Sequence, residues 1–284
     1  MFLHGFLRGA RVSGTFNAKG ELEPSAAAII LCVGKKGSGK TVMTLLIASS
    51  WPYDMVVIDV AGDDGPVPRQ HGTGTHDVHE ITGTVDDLPR AWPEHLRADP
   101  PRPMILLYRP DAGSPTELED MDAMAGLAYS HSGNPDPVML VIHEVGRAAP
   151  AGRTPPHMRR VYNHSRHRKL TVVQAGPRPQ TIDPLAVAQA DVVYVWELNN
   201  PADRKRVAEN IGWNPSDFDA AVHDLGLHEY LRFDAREPKP EREDDDDFRL
   251  VHYPALPEDV VAQVKRWAAG TDRAGDEVAQ AGNS

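Results

Sequence analysis

The sequence predicts an α/β fold, in which helices flank a mostly parallel central β-sheet and a small C-terminal extension follows. Three observations indicate this fold. Apolar runs without polar alternation recur along the chain, as is typical of strands that are buried on both faces. Helix-start signals lie between these runs, which is the alternating order of a parallel sheet. One of the runs leads directly into a glycine-rich turn and an apolar helical segment.

Six apolar runs are predicted to be the strands of this sheet. They are residues 26–33, 55–60, 104–108, 138–143, 170–174 and 192–198. Five helices are predicted from start signals that combine a capping residue with proline. These signals are Ser114-Pro115-Thr116-Glu117, Thr154-Pro155, Asp183-Pro184, Asn200-Pro201 and Asn214-Pro215. Residues 61–79 are rich in glycine and aspartate, and we predict a surface loop there.

Composition divides the chain into four parts. Residues 1–24 are predicted to be an entry segment with a hairpin, and residues 25–233 are predicted to be the α/β core. Residues 234–247 are rich in proline and acidic side chains, a composition typical of a solvated linker. Residues 248–284 are predicted to form a short strand, a helix over 257–269 and a disordered tail.

The cysteine count and the net charge limit the classes of protein that fit. Cys32 is the single cysteine and cannot form an internal disulfide, so a reducing compartment such as the cytoplasm is expected. The longest apolar run, residues 26–33, is far too short to cross a membrane. A net charge of −11 argues against nucleic-acid binding over the whole surface.

One segment carries the opposite charge. Residues 145–182, which we call the basic block, contain no aspartate or glutamate. In an acidic protein, such a block predicts a phosphate-facing surface, with a solvated face or a subunit contact as the alternative. Its basic residues, apart from histidines, are Arg147, Arg153, Arg159, Arg160, Arg166, Arg168, Lys169 and Arg178.

The strongest motif lies between the first predicted strand and the helical segment after it. Its spacing is G-x-x-x-x-G-K-[ST], in which glycines let successive backbone N–H groups face a phosphate. The helix N-terminus adds its positive end, the lysine reaches the β and γ phosphates, and the hydroxyl ligates Mg²⁺. The motif therefore predicts a site for a nucleotide with Mg²⁺. Its residues are Gly34, Lys35, Lys36, Gly37, Ser38, Gly39, Lys40 and Thr41.

The stretch VMLVIHEVGR, residues 138–147, ends a predicted buried strand on an ionisable pair, His143 and Glu144. Taken alone, a strand end that meets solvent is the simpler interpretation. Two predicted strands separate this stretch from the phosphate loop, which is the layout of the ATPase branch that carries a catalytic glutamate. Glu144 is therefore expected at the carboxyl end of a central strand beside the phosphate loop, where open α/β sheets bind ligands. There it would deprotonate the attacking water.

The ordered set of these segments resembles the FtsK–HerA superfamily of DNA-pumping ATPases, and in particular the branch that packages viral genomes. The set runs from GKKGSGKT through VVIDV, ILLYRP and VMLVIHEVGR to NHSRHRKLTVVQAGPRPQTID and ADVVYVWELNNPADRKRVAENIG, over about residues 25–233. The resemblance implies a RecA-like P-loop NTPase fold of the ASCE division. It also implies a homo-oligomeric ring, usually a hexamer, that hydrolyses ATP between subunits and threads double-stranded DNA through its centre.

The resemblance also implies roles for individual residues. Lys40 and Thr41 match the phosphate-loop pair, and Glu144 matches the catalytic glutamate. Gln174 matches the polar sensor of the γ-phosphate. Gln180 is the alternative sensor, because the stretch QAGPRPQ departs from the Q-R-P pattern that the family often has.

Two further roles concern an arginine and the metal. A neighbouring subunit is expected to supply an arginine to the phosphates, and Arg166 is the first choice for it, with Arg168 as the second. His143 occupies the position where the family usually has an aspartate that holds the water shell of Mg²⁺. A neutral imidazole accepts a hydrogen bond from a Mg²⁺-bound water but contributes no negative charge. This departure bears on hydrolysis more than on nucleotide binding.

The motifs and the resemblance together predict a DNA-translocating ATPase that packages a viral or phage genome. Arg153, Arg159 and Arg160 are the predicted contacts to double-stranded DNA, through phosphates and independently of base sequence. Capsid or portal-vertex proteins are expected partners, in the host cytoplasm or on the virion. A plasmid or conjugative DNA-transfer ATPase is one alternative, and a non-motor ATP-binding switch with a protein partner is another.

Overall fold

The computed structural model describes residues 27–60, 76–83, 85, 103–133, 136–237 and 249–269. The predicted entry segment with its hairpin, most of the acidic linker and the predicted tail beyond residue 269 lie outside the described residues. The described strands form one nine-stranded sheet.

The strands of this sheet confirm the predicted α/β class with a mostly parallel sheet. They are β1 (Ile29–Val33), β2 (Met55–Asp59), β3 (Asp77–Gly83), β4 (Met104–Pro110), β5 (Val138–His143), β6 (Leu170–Gly176), β7 (Val192–Val195), β8 (Tyr230–Asp234) and β9 (Leu250–Tyr253). Their order across the sheet is β3-β4-β2-β5-β6-β1-β7-β8-β9. The pairs from β3 to β7 are parallel, and β8 and β9 add antiparallel pairs at one side.

Helices cover both faces of the sheet. They are α1 (Lys40–Ser49), α2 (Glu117–His131), α3 (Val145–Ala148), α4 (Pro156–His164), α5 (Pro184–Ala188), α6 (Pro201–Ile211), α7 (Pro215–His223) and α8 (Glu258–Ala269). α1 and α8 pack against each other on one face, and the other helices pack on the opposite face. Strand side chains alternate between the two cores, so that Leu31 lies in one and Cys32 in the other.

Several predicted helix starts are confirmed in atomic detail. Three capping side chains accept a hydrogen bond of 2.8 to 2.9 Å from the backbone N–H two residues on, and they belong to Asp183, Asn200 and Asn214. The capping box predicted at Ser114 is wrong by two residues, since the helix begins at Glu117 with Thr116 as its N-cap. Ser114 instead binds the N–H of Thr116 within the preceding turn.

Sequence patterns do not predict β3 and β8. β3 begins inside the stretch predicted as a loop, and its residues are half-buried or exposed because it pairs on one side only. β8 ends on Asp234, which the sequence assigns to the acidic linker. The structure instead buries Asp234 completely, and its carboxylate accepts hydrogen bonds from Arg232 and Arg236. These two arginines, each two residues from Asp234 in the sequence, compensate the buried charge.

The order of strands shows how Glu144 comes to lie near the phosphate loop. β5, the strand before Glu144, is central in the sheet, and β6 lies between it and β1. β6 lies within the basic block, and the chain inserts it between β5 and β1. The site is therefore assembled across the ends of several strands.

The C-terminal segment continues the same sheet. β9 pairs with β8, and Val260, Val264 and Ala268 of α8 join the apolar core above α1. The domain boundaries themselves stay a prediction. Within the described residues, no helix has both the length and the hydropathy to cross a bilayer.

Candidate functional site

The phosphate loop joins β1 to α1 and leaves the start of that helix open to an anion. Gly39 is the N-cap of α1 with φ 114°, a conformation that favours glycine. No side chain of the described residues caps the helix, and its first turn contains no acidic residue. The first backbone N–H groups of a helix have no intrahelical partner, and here nothing in the first turn neutralises the positive end. This geometry suits a phosphate group.

Two polar side chains of the loop, those of Lys40 and Ser38, also suit a phosphate group. The Lys40 ammonium donates to the carbonyl oxygens of Gly34 and Lys35, each at 2.7 Å, which leaves one of its three N–H groups. Burial lowers the pKa of Lys40, and the carboxylate of Glu144 opposes that shift. The hydroxyl of Ser38 is buried and has no hydrogen-bond partner among the described residues.

The residues after β7 hold the loop in place. The N–H of Trp196 donates to the carbonyl of Val33, and the N–H of Lys35 donates to the carbonyl of Glu197, both at 2.9 Å. The side chains of Lys35 and Glu197 also form an ion pair. At Gly34, a Cβ atom would lie 2.7 Å from the Cβ of Trp196, so no larger residue fits. The loop is thus built against Trp196.

A cavity of about 730 Å³ opens beside the loop. Lys35 and Lys36 do not line it; Lys36 is exposed at the tip of the loop. Residues 37–42 form its centre. The ends of β2, β5 and β6 contribute Asp59, His143, Glu144 and Ala175, and the opposite side, which we call the C-terminal wall, contributes Ala255, Leu256, Glu258, Val261, Ala262 and Lys265. Trp196 and His228 complete the lining.

Glu144 lines this cavity in a strained backbone conformation. It follows β5 with φ 60° and ψ 53°, in the left-handed region that non-glycine residues rarely adopt. The conformation costs about 1–2 kcal/mol. Strain of this kind persists where the surrounding structure enforces it, and it is found mainly at active sites. Its position is consistent with the predicted role as catalytic base.

His143 and Asp59 are neighbours across two strands. The register of β2 and β5 pairs them directly, and both side chains are buried. Burial lowers the pKa of His143, and the Asp59 carboxylate opposes that shift, so the imidazole is neutral at pH 7. Its Nε2 atom is buried without a hydrogen-bond partner among the described residues. One oxygen of Asp59 accepts from Nε of Arg109 at 3.3 Å.

The sequence-predicted sensor, Gln174, lies outside the cavity. Its register partner on β5 is Ile142, one residue before His143, so its side chain is on the opposite face of the sheet. It is fully buried there, where it accepts from the hydroxyl of Tyr162 at 2.9 Å and donates to the carbonyl of Ala186 at 3.2 Å. Gln174 therefore joins β6 to α4 through Tyr162 and to α5 through Ala186.

The alternative sensor, Gln180, is also engaged away from the cavity. Its backbone N–H donates to Asp203, and its amide donates to the carbonyl of Ala202 at 2.8 Å. The β6 side chain that does line the cavity is that of Ala175. Neither glutamine therefore reaches the phosphate loop of its own chain.

Arg166 lies at the edge of the sheet opposite the phosphate loop. It shortly precedes β6, whose seven residues span about 20 Å at ~3.3 Å per residue. Its guanidinium forms an ion pair with Asp191, and the second oxygen of Asp191 accepts from the N–H of Ile29 at 2.8 Å. Arg166 therefore cannot reach the nucleotide cavity of its own subunit.

Other basic-block arginines divide between structural and exposed positions. Arg168, the second choice for the trans arginine, donates to the carbonyl of Ser130 at 3.2 Å and lies over the ring of Tyr129. Arg160 lies over the same ring, 4.6 Å from its centroid. Arg153 and Arg159 are exposed near the start of α4, at the edge of the sheet where β5 ends.

The sequence misses much of this site. The pairing of Asp59 with His143 depends on strand register, and the roles of Trp196 and His228 depend on loops that meet in space. The C-terminal wall lies in the segment predicted as a separate extension. The apolar residues Val260, Val261, Val264 and Trp267 predict a helix over 257–269, but no sequence signal connects that helix with the phosphate loop.

Solved structures share this fold. The genome packaging NTPase B204 of Sulfolobus turreted icosahedral virus 2, in complex with ATPγS, is 13% identical with a TM-score of 0.59, over 83% of this chain and 100% of that chain. The same NTPase in complex with AMPPCP is 14% identical with a TM-score of 0.54, over 83% and 100% of the two chains. B204, the DNA-packaging ATPase of Sulfolobus turreted icosahedral virus, is 14% identical with a TM-score of 0.54, over 81% and 98%.

At this level of identity, the likeness establishes the fold. The predicted resemblance to genome-packaging ATPases is confirmed for the fold, and the first two of these structures hold the ATP analogues ATPγS and AMPPCP. No family model and no curated protein matches the chain.

The Arg166–Asp191 pair generates a prediction about stability. Asp191→Ala leaves the buried N–H of Ile29 unpaired and should lower the free energy of unfolding by about 2–3 kcal/mol. Arg166→Ala should cost about 1 kcal/mol or less, because that side chain is 61% exposed. Denaturant unfolding of the wild type, the two single variants and the double variant should give a coupling free energy of about 0.5 kcal/mol between Arg166 and Asp191.

Arg153→Ala is the matched control for this cycle, since Arg153 is exposed in the same basic block. It should change stability by less than about 0.5 kcal/mol. Strictly additive effects of the Arg166 and Asp191 substitutions would show that the ion pair does not form in solution.

Proposed function

We propose that this protein is an ATPase that translocates double-stranded DNA, in the manner of a viral genome-packaging motor. One observation carries the proposal: a single cavity joins a phosphate loop to the carboxylate of Glu144 at one edge of the sheet. The fold shared with genome packaging NTPases supports the same class of activity.

The phosphates of ATP would bind in the centre of the cavity. The open N-terminus of α1 offers backbone N–H groups, and the remaining N–H of Lys40 would contact the β and γ phosphates. The hydroxyl of Ser38, unpaired among the described residues, would gain an acceptor there. A site that binds a polyanion is expected to have hydrogen-bond donors without acceptors in the protein.

Glu144 would act as the general base. Its carboxylate would orient a water molecule towards the γ-phosphate and accept its proton as the bond from the water oxygen to the γ-phosphorus forms. The bond from that phosphorus to the β–γ bridging oxygen breaks in the same step, and ADP leaves. The strained turn at this residue sets the side chain at the end of β5, and α3 begins directly after it.

The residues around the loop also fit Mg²⁺. Hydroxyl, carboxylate and water oxygens are its preferred ligands, usually with one or two carboxylates and substrate phosphates. Thr41 lines the cavity, Asp59 supplies a buried carboxylate, and His143 has a ring nitrogen, unpaired among the described residues, that would accept a hydrogen bond from a bound water. When bound, Mg²⁺ neutralises charge on the phosphates. No cluster of three acidic, histidine or cysteine side chains forms a separate metal site in the described ranges.

In this proposal, Asp59 takes over the charge that His143 cannot supply. The two residues are register partners on adjacent strands, so a carboxylate one strand away faces the same side of the sheet. Asp59 shares Arg109 with Glu80, so one guanidinium faces two carboxylates and the cluster keeps a net negative charge. That charge favours a cation at the end of β5.

DNA would bind to the exposed part of the basic block. Arg153, Arg159 and Arg160 are exposed, and the segment 145–182 that carries them contains no aspartate or glutamate, so phosphate contacts would dominate. A homo-oligomeric ring would place these residues around a common channel. Within such a ring, a trans arginine would come from the edge of the sheet that carries the cavity. Arg178 follows β6 at that edge, where its side chain is exposed and pairs with Asp203 at 3.6 Å, and it is a further candidate for that role beside Arg166.

Replacement of the proposed base gives the main test of activity. Glu144→Gln should lower the ATPase rate by about 10²–10⁴-fold, because proton transfer to the carboxylate is abolished, while ATP binding is retained. Phosphate release is measured with and without double-stranded DNA. Glu119→Gln, an exposed glutamate on α2, is the control and should hydrolyse ATP at the wild-type rate. Unchanged turnover in Glu144→Gln would sink the assignment.

The same assay separates a motor from a switch. A motor should show DNA-stimulated hydrolysis and the solution mass of a ring by light scattering. A monomer whose hydrolysis does not respond to DNA would contradict translocation and favour a nucleotide-dependent switch that binds a protein partner.

A charge-relocation series tests the metal proposal. The wild type should bind ATP more tightly in Mg²⁺ than in EDTA. Asp59→Asn should make the ratio of these two affinities about tenfold smaller, in the range expected when a ligand-supporting group is removed. His143→Asp in the Asp59→Asn background should restore most of that increase, because the carboxylate returns one strand away. Calorimetric titration of ATP measures both states.

Asp111→Asn is the matched control for this series, since Asp111 is exposed after β4. It should leave the Mg²⁺ dependence unchanged. If Asp59→Asn also leaves it unchanged, Asp59 serves only to hold Arg109.

The DNA surface is tested by salt dependence. Neutralising Arg153, Arg159 and Arg160 together should weaken DNA binding and lower the slope of log K against log salt by about one for each of these arginines that binds a phosphate. Fluorescence anisotropy with labelled duplex DNA measures the slope. Lys205→Ala, outside the basic block, should leave it unchanged. A triple variant with the wild-type slope would exclude this surface.

A further inference from the structure

The peptide group between Ser38 and Gly39 lies where the phosphate loop turns into α1. A planar trans peptide directs its C=O and its N–H in opposite directions, so the direction of the Ser38 carbonyl sets that of the Gly39 N–H. Among the described residues, no backbone carbonyl accepts from this N–H. As the first N–H group of the helix start, it is available to a phosphate oxygen.

The glycine does not fix the orientation of this peptide group. Gly39 has φ 114°, and a flip of the peptide plane would bring φ to a negative value, which glycine adopts about as readily. The flipped group would present the Ser38 carbonyl to the phosphate in place of the Gly39 N–H. Because the carbonyl oxygen carries partial negative charge, phosphate binding requires a contact that favours the observed orientation.

His228 makes such a contact with the loop. Its Nδ1 atom lies 3.2 Å from the carbonyl oxygen of Ser38. A carbonyl oxygen only accepts, so Nδ1 carries the proton and donates it to this hydrogen bond. His228 is exposed and belongs to the connection between α7 and β8. The orientation of the peptide group is therefore held from a distant part of the chain.

The backbone of His228 is strained in the position that allows this contact. The N–H of Glu229 donates to the carbonyl of Gly226 at 3.2 Å, which closes a four-residue turn. His228 is the third residue of the turn with φ 65°, where glycine or asparagine is favoured. The Glu229 carboxylate accepts from the N–H of Gly226 at 2.8 Å and pairs with His252 of β9 at 3.0 Å. Strain at an exposed side chain that reaches the phosphate loop points to a function of that side chain.

We propose that His228 is a positioning residue of the nucleotide site, which holds the Ser38–Gly39 peptide with the Gly39 N–H towards the phosphates. The inference rests on the proposed function, since it requires the loop to bind the phosphates of ATP. His228 acts through the loop backbone, so its effect is the same for every ligand that the loop holds by a phosphate chain. It supports the ground state and the transition state equally, and therefore lowers KM and leaves kcat unchanged.

Two substitutions at His228 test the hydrogen bond. His228→Ala removes the donor and should weaken binding of ATP and of inorganic tripolyphosphate by about fivefold each. His228→Asn supplies an amide N–H from a residue that tolerates positive φ, and should bind both ligands within about twofold of the wild type. Calorimetric titration in Mg²⁺ measures the affinities. In steady-state hydrolysis, His228→Ala should raise KM by the same factor at unchanged kcat.

A third substitution separates the hydrogen bond from the turn. His228→Gly adopts positive φ without strain but has no donor. It should bind both ligands as weakly as His228→Ala, although it should unfold at a higher temperature than that variant. Leu227→Ala is the matched control, because Leu227 is the neighbouring turn residue, is 76% exposed and does not line the cavity. It should change neither affinity.

Three results would overturn the role of His228. Wild-type affinity in both His228→Ala and His228→Gly would show that the loop holds its own peptide group. Weakening of ATP binding alone would place the imidazole against the nucleoside. Binding by His228→Asn as weak as that of His228→Ala would show that the donor is not what matters. A wild type that binds neither ATP nor tripolyphosphate would instead contradict the proposed function.

Discussion

Parallel pairing brings the carboxyl ends of β2, β5, β6, β1 and β7 to one edge of the sheet, and the candidate site depends on that shared edge. Asp59 and His143 meet there because their strands are in register. The phosphate loop joins the same edge because the β1–β7 hydrogen bonds continue past the strands, from Val33 and Lys35 to the residues after β7. A shift of one residue in any of these pairs would turn the side chains to the other face.

The buried carboxylate at this site comes from a different strand than the sequence pattern leads one to expect. A carboxylate is expected directly before Glu144, and the chain has a buried, neutral histidine there. A carboxylate on the adjacent strand lies at the same level of the sheet. Because the two strands are parallel and in register, exchanging the groups between them leaves the charge at the edge almost unmoved. The chemistry of such a site is therefore a property of the sheet rather than of one linear motif.

Local patterns were sufficient for the parts of the protein that interact with their sequence neighbours. The phosphate loop is such a part, because its glycines, lysine and helix start act within eight residues. β5 is predicted to its observed bounds, since an unbroken apolar run marks a strand buried on both faces.

Prediction from sequence fails where the partners of a residue are distant in the chain. Gln174 is the clearest case, since its neighbours on β6 alternate between cores and only the register decides which face its amide reaches. The C-terminal wall is another, because α8 meets α1 only after β8 and β9 have extended the sheet.

The two sides of the cavity have a consequence for how the protein folds. Residues 37–42 and residues 255–265 come from opposite ends of the described chain, so contacts across the cavity are long-range in sequence and carry a large loop-closure entropy cost. During synthesis the phosphate loop emerges first, yet its partner wall follows only after nearly all of the sheet. A ligand that needs both sides binds the completed fold and no earlier intermediate. Such a ligand would stabilise the whole molecule by mass action, and its binding would report that the chain has finished folding.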